Sequence, residues 1–144
     1  MPEHVFTLAA MGHAVDAQTN QLTVFEIAES VGALGLPIVL PRLSFVTLWR
    51  REEGDLGVSF TERLEIVDPD GEPNASFEVS FAFERLYQRT IGRVFGPKFQ
   101  KPGCHRVKVT VRRSDQQEWS GPVAQFPIEV SLLEHSDSSL LKPA

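Results

Sequence analysis

The feature that most constrains this chain is a hydrophobic period of two. In Arg106-Val-Lys-Val-Thr-Val-Arg112, the valines 107, 109 and 111 fall on one side, and Arg106, Lys108, Thr110 and Arg112 on the other. An extended strand separates neighbours in this way, and one apolar side marks a strand half buried in an antiparallel sheet. The spacing recurs in Phe77, Val79, Phe81 and Phe83, which alternate with Ser76, Glu78, Ser80 and Ala82. Val58, Phe60, Leu64 and Ile66 form a third set. Glu62 interrupts it, where a bulge or a polar rim position is expected.

Turn chemistry separates these runs. Asp68-Pro-Asp-Gly71 supplies a preset φ and then a permissive one, so residues 58 to 68 and 75 to 86 are expected to pair as a hairpin. Asp16 to Gln21 serves similarly between residues 4 to 15 and 22 to 31, and Ser114 to Gln117 leads into a final strand or pair of strands over 118 to 133. Gly32 to Pro41 is apolar but bounded by prolines, which suits a packed crossover or an edge segment. The spacing of turns predicts an all-β fold, an antiparallel β-sandwich of about eight strands. Residues 1–133 are read as a single β-sandwich domain, with the ten phenylalanines supplying much of the core volume, and residues 134–144 as a mobile C-terminal tail.

Several functions are disfavoured. The opening MPEHVFTLAAMGHAVD has no basic segment and only a short apolar run, so neither a signal peptide nor a membrane span is expected. A lone cysteine, Cys104, fits a reducing compartment, and a cytoplasmic location is expected. His4, His13 and His135 stand at no metal-ligand spacing, and the sequence carries no phosphate-binding glycine loop and no nucleophile elbow. Asp68, Asp70, Glu72 and Asn74 place oxygens at alternate positions, but the downstream glutamate of a calcium loop is missing, and a plain turn is expected. Cys104 and His105 are consecutive on a strand, so their side chains leave opposite faces and cannot act as a nucleophile and its base. No cofactor, metal or catalytic residue is expected, and the chain is read as non-enzymatic.

Charge offers the best pointer to a role. Between Arg85 and Arg113 lie nine basic residues and no acidic one, in a chain of net charge −5. Arg89 and Arg93 share one strand face, and Arg106, Lys108 and Arg112 another. These five are the candidate partner-binding residues, suited to an anionic partner. Acidic strands carrying Glu62, Glu65, Glu78 or Glu84 would neutralise them if they lie alongside. A protein partner or a homodimer formed by pairing sheet edges is expected. Nucleic acid is disfavoured by the overall acidity and by few aromatics in the segment, namely Tyr87, Phe95 and Phe99. Trp49 is expected in the core and Trp119 near a turn. The competing reading is a small-ligand or carbohydrate-binding module using loops around Trp119 and Phe95-Gly-Pro-Lys98, and the third is an enzyme using Cys104 or His105.

The order of landmarks carries a resemblance: an N-terminal hairpin, LPIVLPRL at 36–43, a strand ending in Trp49-Arg50, IVDPDG at 66–71 and PG-x-x-x-V-x-V at 102–109. Over most of residues 5–130 the chain resembles a family of short bacterial single-domain β-sandwich proteins of unknown function. That resemblance implies a fold and a cytoplasmic bacterial setting, and no activity. The last half also looks like an immunoglobulin-like sandwich, in which a Pro-Gly turn is often followed two residues later by tyrosine. His105 stands at that position here, where an imidazole could donate to a backbone carbonyl in place of the tyrosine-corner bond.

Overall fold

The computed structural model describes residues 1–133, and the tail expected over 134–144 lies outside the described residues. Eleven strands follow one another: β1 (Glu3–Val15), β2 (Leu22–Ile27), β3 (Ser30–Ala33), β4 (Ile38–Val39), β5 (Arg42–Arg50), β6 (Ser59–Val67), β7 (Pro73–Ala82), β8 (Tyr87–Phe95), β9 (Lys98–Phe99), β10 (Gly103–Arg113) and β11 (Ala124–Leu132). The turn spacing accounts for the longer strands. The short β3, β4 and β9 are the additions, and two of them come from the proline-bounded segment and its approach.

The strands form a four-stranded sheet, in the order β2-β1-β5-β8, and a five-stranded sheet, in the order β3-β11-β10-β6-β7. Pairing is antiparallel except where β3 lies parallel to β11, and β4 pairs with β9 as a separate two-stranded ribbon. The segment from 32 to 41 thus supplies an edge and a crossover, as its prolines require.

Period-two alternation delivers the core. Val107, Val109 and Val111 of β10 and Phe60, Leu64 and Ile66 of β6 face Leu43, Phe45 and Trp49 of β5 in one buried cluster. Trp49 stacks on Phe81 with ring centroids 5.7 Å apart, and Phe60, Phe81 and Phe83 continue the aromatic packing. Such offset and edge-to-face contacts suit aromatic quadrupoles. Where the sheet edges β7 and β8 meet, the Phe77 ring lies directly over Gly92, and a Cβ at 92 would collide with it.

The hairpin of β6 and β7 closes through Asp68. Its carboxylate accepts the backbone N–H groups of Asp70 and Glu72 at 2.8 and 2.9 Å, while Gly71 takes φ of 85°. Lys101 crosses to the same turn and binds Asp68 and Asp70 at 3.1 and 2.6 Å. The backbone N–H of Glu72, followed by weaker contributions from Lys101 and Asp70, holds the Asp68 carboxyl below its ordinary value. Of the oxygens at alternate positions in this turn, those of Asp68 are engaged by the lysine and the backbone and that of Asp70 by the lysine.

One expectation is corrected here. Glu62 is neither a bulge nor a rim residue: β6 keeps its register through Glu62, opposite Val79 and Val111, and the irregularity of this strand falls between Ile66 and Val67. Glu62 occupies the inward position of the alternation and is 1% exposed.

Candidate functional site

Since Leu43, Phe45 and Trp49 of β5 face the core, the alternate residues Arg42, Ser44, Val46, Leu48 and Arg50 face away from it. Register extends this outer face onto β8, where Phe95 pairs with Arg42, Arg93 with Ser44, Ile91 with Val46, Arg89 with Leu48 and Tyr87 with Arg50. The outer row of β8 therefore reads aromatic, arginine, aliphatic, arginine, aromatic. Phe95 is 72% exposed and Tyr87 49%.

Polar contacts gather the basic groups of this face. Arg93 Nη2 lies 3.3 Å from His13 Nε2, and His13 Nδ1 lies 2.8 Å from Ser44 Oγ. A guanidinium only donates, so Nε2 accepts and Nδ1–H donates to the serine, which defines a neutral imidazole. Burial pushes the His13 pKa down, and the positive charges of Arg93, Arg42 and Arg89 push it further. Arg42 donates from Nε to the Met11 carbonyl at 3.3 Å and lays its Nη2 beside Gly12. Arg89 binds the carbonyl and side-chain oxygens of Asn20, each at 3.2 Å. Beside Arg89, Tyr87 and Leu48 is an open depression of 430 Å³, which Glu84 also lines. Among the described residues, Arg42, Arg89 and Arg93 form no ion pair.

The other candidate residues lie on the other sheet. Arg106, Lys108 and Arg112 share the outer face of β10, but Lys108 stands opposite Glu65, and neighbouring Arg63 is bound to Glu78 at 2.9 Å. Arg112 donates to the carbonyls of Arg113, Ser114 and Gln116, and its guanidinium lies 4.9 Å from the centre of the Trp119 ring, over which Arg63 also sits at 4.1 Å. Cation–π contacts and carbonyl bonds thus occupy this arginine in holding the β10–β11 connection. The structure brings Arg89 and Arg93 together with Arg42 and His13, which sequence reasoning missed, and separates them from Arg106, Lys108 and Arg112. Alternation along β5 could have shown Arg42 pointing outward; its neighbours on β8 follow only from long-range pairing.

Two other candidates resolve into structure. His105 is 1% exposed, its Nδ1 is 3.3 Å from the Gly103 carbonyl and its ring meets Phe99 edge to face at 5.0 Å. Cys104 turns its thiol toward the His105 carbonyl at 3.6 Å, away from the imidazole. Trp119, covered by two guanidiniums on the five-stranded sheet, and Phe95, on the four-stranded one, do not come together as a ligand platform.

A buried polar chain joins the sheets. Glu62 accepts from Trp49 Nε1 at 3.1 Å and from Thr90 Oγ1 at 2.6 Å, and Thr47 contributes a further hydrogen bond. The hydroxyls of Thr47 and Thr7 are 3.0 Å apart, and Thr7 in turn lies 2.7 Å from His4 Nε2. Burial pushes the Glu62 carboxyl above its ordinary value, against the pull of its three hydrogen bonds. Sealed from solvent, this carboxylate connects β6 to β5 and β8.

Among the described residues, no group of three or more His, Cys, Asp or Glu is arranged to hold a metal ion, and no helix is long and apolar enough to cross a membrane. Comparison with curated proteins finds no significant match. Comparison with solved structures finds none either. A family model matches residues 5–134, nearly the whole described chain, and the protein therefore belongs to that family, described as a family of unknown function (DUF6941).

Proposed function

We propose that this chain is a non-enzymatic interaction protein that receives an acidic segment of a partner protein on the outer face of β5 and β8. The observation that carries this reading is the set of arginines 42, 89 and 93, without ion pairs among the described residues, flanked by exposed Phe95 and Tyr87. Guanidiniums without a carboxylate partner attract and orient carboxylates or phosphates, and aromatic side chains beside them are the usual anchors of a protein interface. The face of Arg106, Lys108 and Arg112 is a weaker candidate, because Glu65 and Glu78 interleave with it. The scaffold is read as an immunoglobulin-like sandwich in a cytoplasmic bacterial setting.

A photo-crosslinking residue placed at Ile91, between Arg89 and Arg93, tests the reading directly. A specific adduct that weakens with salt and disappears when Arg42, Arg89 and Arg93 are changed to serine supports it. Adducts formed from position 108 and not from 91 overturn it in favour of the opposite face. A second copy of the chain is the other partner favoured by an observation: β2 ends its sheet with Phe25 and Ile27 51% and 44% exposed. Light scattering across a concentration series separates this self-association from binding of a different protein.

A further inference from the structure

We propose that Arg42, Arg93 and His13 form a subsite for a phosphoryl group on the partner segment, and that the group is taken up together with a proton on His13. This rests on the docking reading above and specifies its ligand chemistry. The arrangement of these basic groups is poorly satisfied as it stands. Two guanidiniums from adjacent strands and an imidazole converge, with a third arginine, Arg89, acting on the same ring. The charged groups acting on His13 are Arg93 and Arg89 of β8 and Arg42 of β5; no carboxylate is among them, and β2 offers Val24 opposite it.

The chemistry of the donors selects a tetrahedral dianion over a single carboxylate. Arg42 and Arg93 approach from different strands, diagonal to one another in the β5–β8 register, so their forks are offset. A planar carboxylate is satisfied by one fork, whereas a phosphoryl group offers three acceptor oxygens and a charge of about −1.5 to −2 near neutrality.

The proton follows from the tautomer. On this face, His13 Nε2 accepts from Arg93 and Nδ1–H donates to Ser44. Protonation would set an N–H at Nε2 against the Arg93 N–H groups. An oxyanion between the two reverses the sign of that contact: Arg93 and the protonated Nε2 both donate to it, while Nδ1–H keeps its serine. Anion and proton are therefore bound cooperatively, each strengthening the other by the same factor.

The test follows the His13 ring by NMR across pH in chloride, sulfate and inorganic phosphate at matched ionic strength. Sulfate keeps its charge over this range and isolates the histidine proton. The His13 midpoint is expected to move upward in sulfate and phosphate relative to chloride, and the shift to be lost in the Arg42→Gln/Arg93→Gln variant with its circular dichroism unchanged. An equal midpoint in all three salts, or a shift that survives in the variant, overturns the subsite. A peptide bearing phosphoserine among acidic residues is expected to bind at least about tenfold more tightly than its serine counterpart; equal affinities overturn the phosphoryl assignment. Salt-sensitive crosslinking at Ile91 without any His13 response overturns the subsite alone, and loss of both overturns the docking reading with it.

Discussion

The indole N–H of Trp49, on one sheet, donates to the carboxylate of Glu62, on the other, across 3.1 Å. Thr90 completes the arrangement at 2.6 Å from the second carboxylate oxygen. A buried acceptor with this many donors is costly to remove, because the donors then lose both water and protein partners. Glu62→Leu is expected to destabilise the fold by about 2–4 kcal/mol in denaturant titration, and Glu62→Gln by less, since one amide oxygen still accepts. Equal stability of wild type and the leucine variant would refute the assigned role.

The same carboxyl gives a signed pH dependence. Burial raises its folded-state pKa above the ordinary 4.5, so between these values the native chain holds a proton that the unfolded chain has released. This contribution is fully present below pH 4.5 and is lost as pH rises through the folded value. Subtracting the Glu62→Gln profile from that of wild type should isolate a difference that falls with rising pH.

His13 behaves in the opposite sense. Its folded-state pKa lies below the ordinary 6.5, so its contribution is full above 6.5 and is lost as pH falls toward the folded value. Arg93→Gln removes one depressing charge, leaving burial and the other two arginines. The His13 midpoint, read by NMR, is expected to rise part of the way toward 6.5; an unchanged midpoint would contradict the contact.

Gly92 and Phe77 should be energetically coupled. Gly92→Ala forces the Phe77 ring from its place, and overpacking of this kind costs about 1–3 kcal/mol. Phe77→Leu opens room at the seam between β7 and β8, so the double variant is expected to be more stable than the sum of the single changes implies. Strict additivity would show that the seam adapts without strain.

Cys104 and His105 should respond very differently to truncation. Cys104→Ala is expected to change stability by less than about 1 kcal/mol, whereas His105→Ala empties a buried site against Phe99 and should cost about 2–4 kcal/mol. Comparable losses for both would contradict the structural role assigned to the buried imidazole.

These residues also show how far sequence carries. Val107, Val109 and Val111, the core position of Trp49 and the turn at Asp68 to Gly71 follow from local alternation and turn chemistry, and all take their expected places. Glu62 misleads because its partners, Trp49 and Thr90, lie 13 and 28 positions away and belong to the facing sheet. A polar residue in an apolar row cannot announce whether it faces outward or meets donors. The basic run from Arg85 to Arg113 misleads differently. It is one stretch of chain, yet β8 and β10 belong to different sheets, so its charge is divided between two faces, one interleaved with Glu65 and Glu78 and the other not.

An all-hydrocarbon core would let one sheet slide over the other with little penalty, since one methyl group resembles the next. Glu62 removes that freedom. Displaced by two residues along β6, the indole of Trp49 would confront Phe60 or Leu64, and its N–H would have no acceptor. A single carboxylate thus acts as a positional key between the layers: it selects one alignment from several that would bury similar apolar area, and so fixes where the outer face of β5 and β8 stands relative to the rest of the molecule.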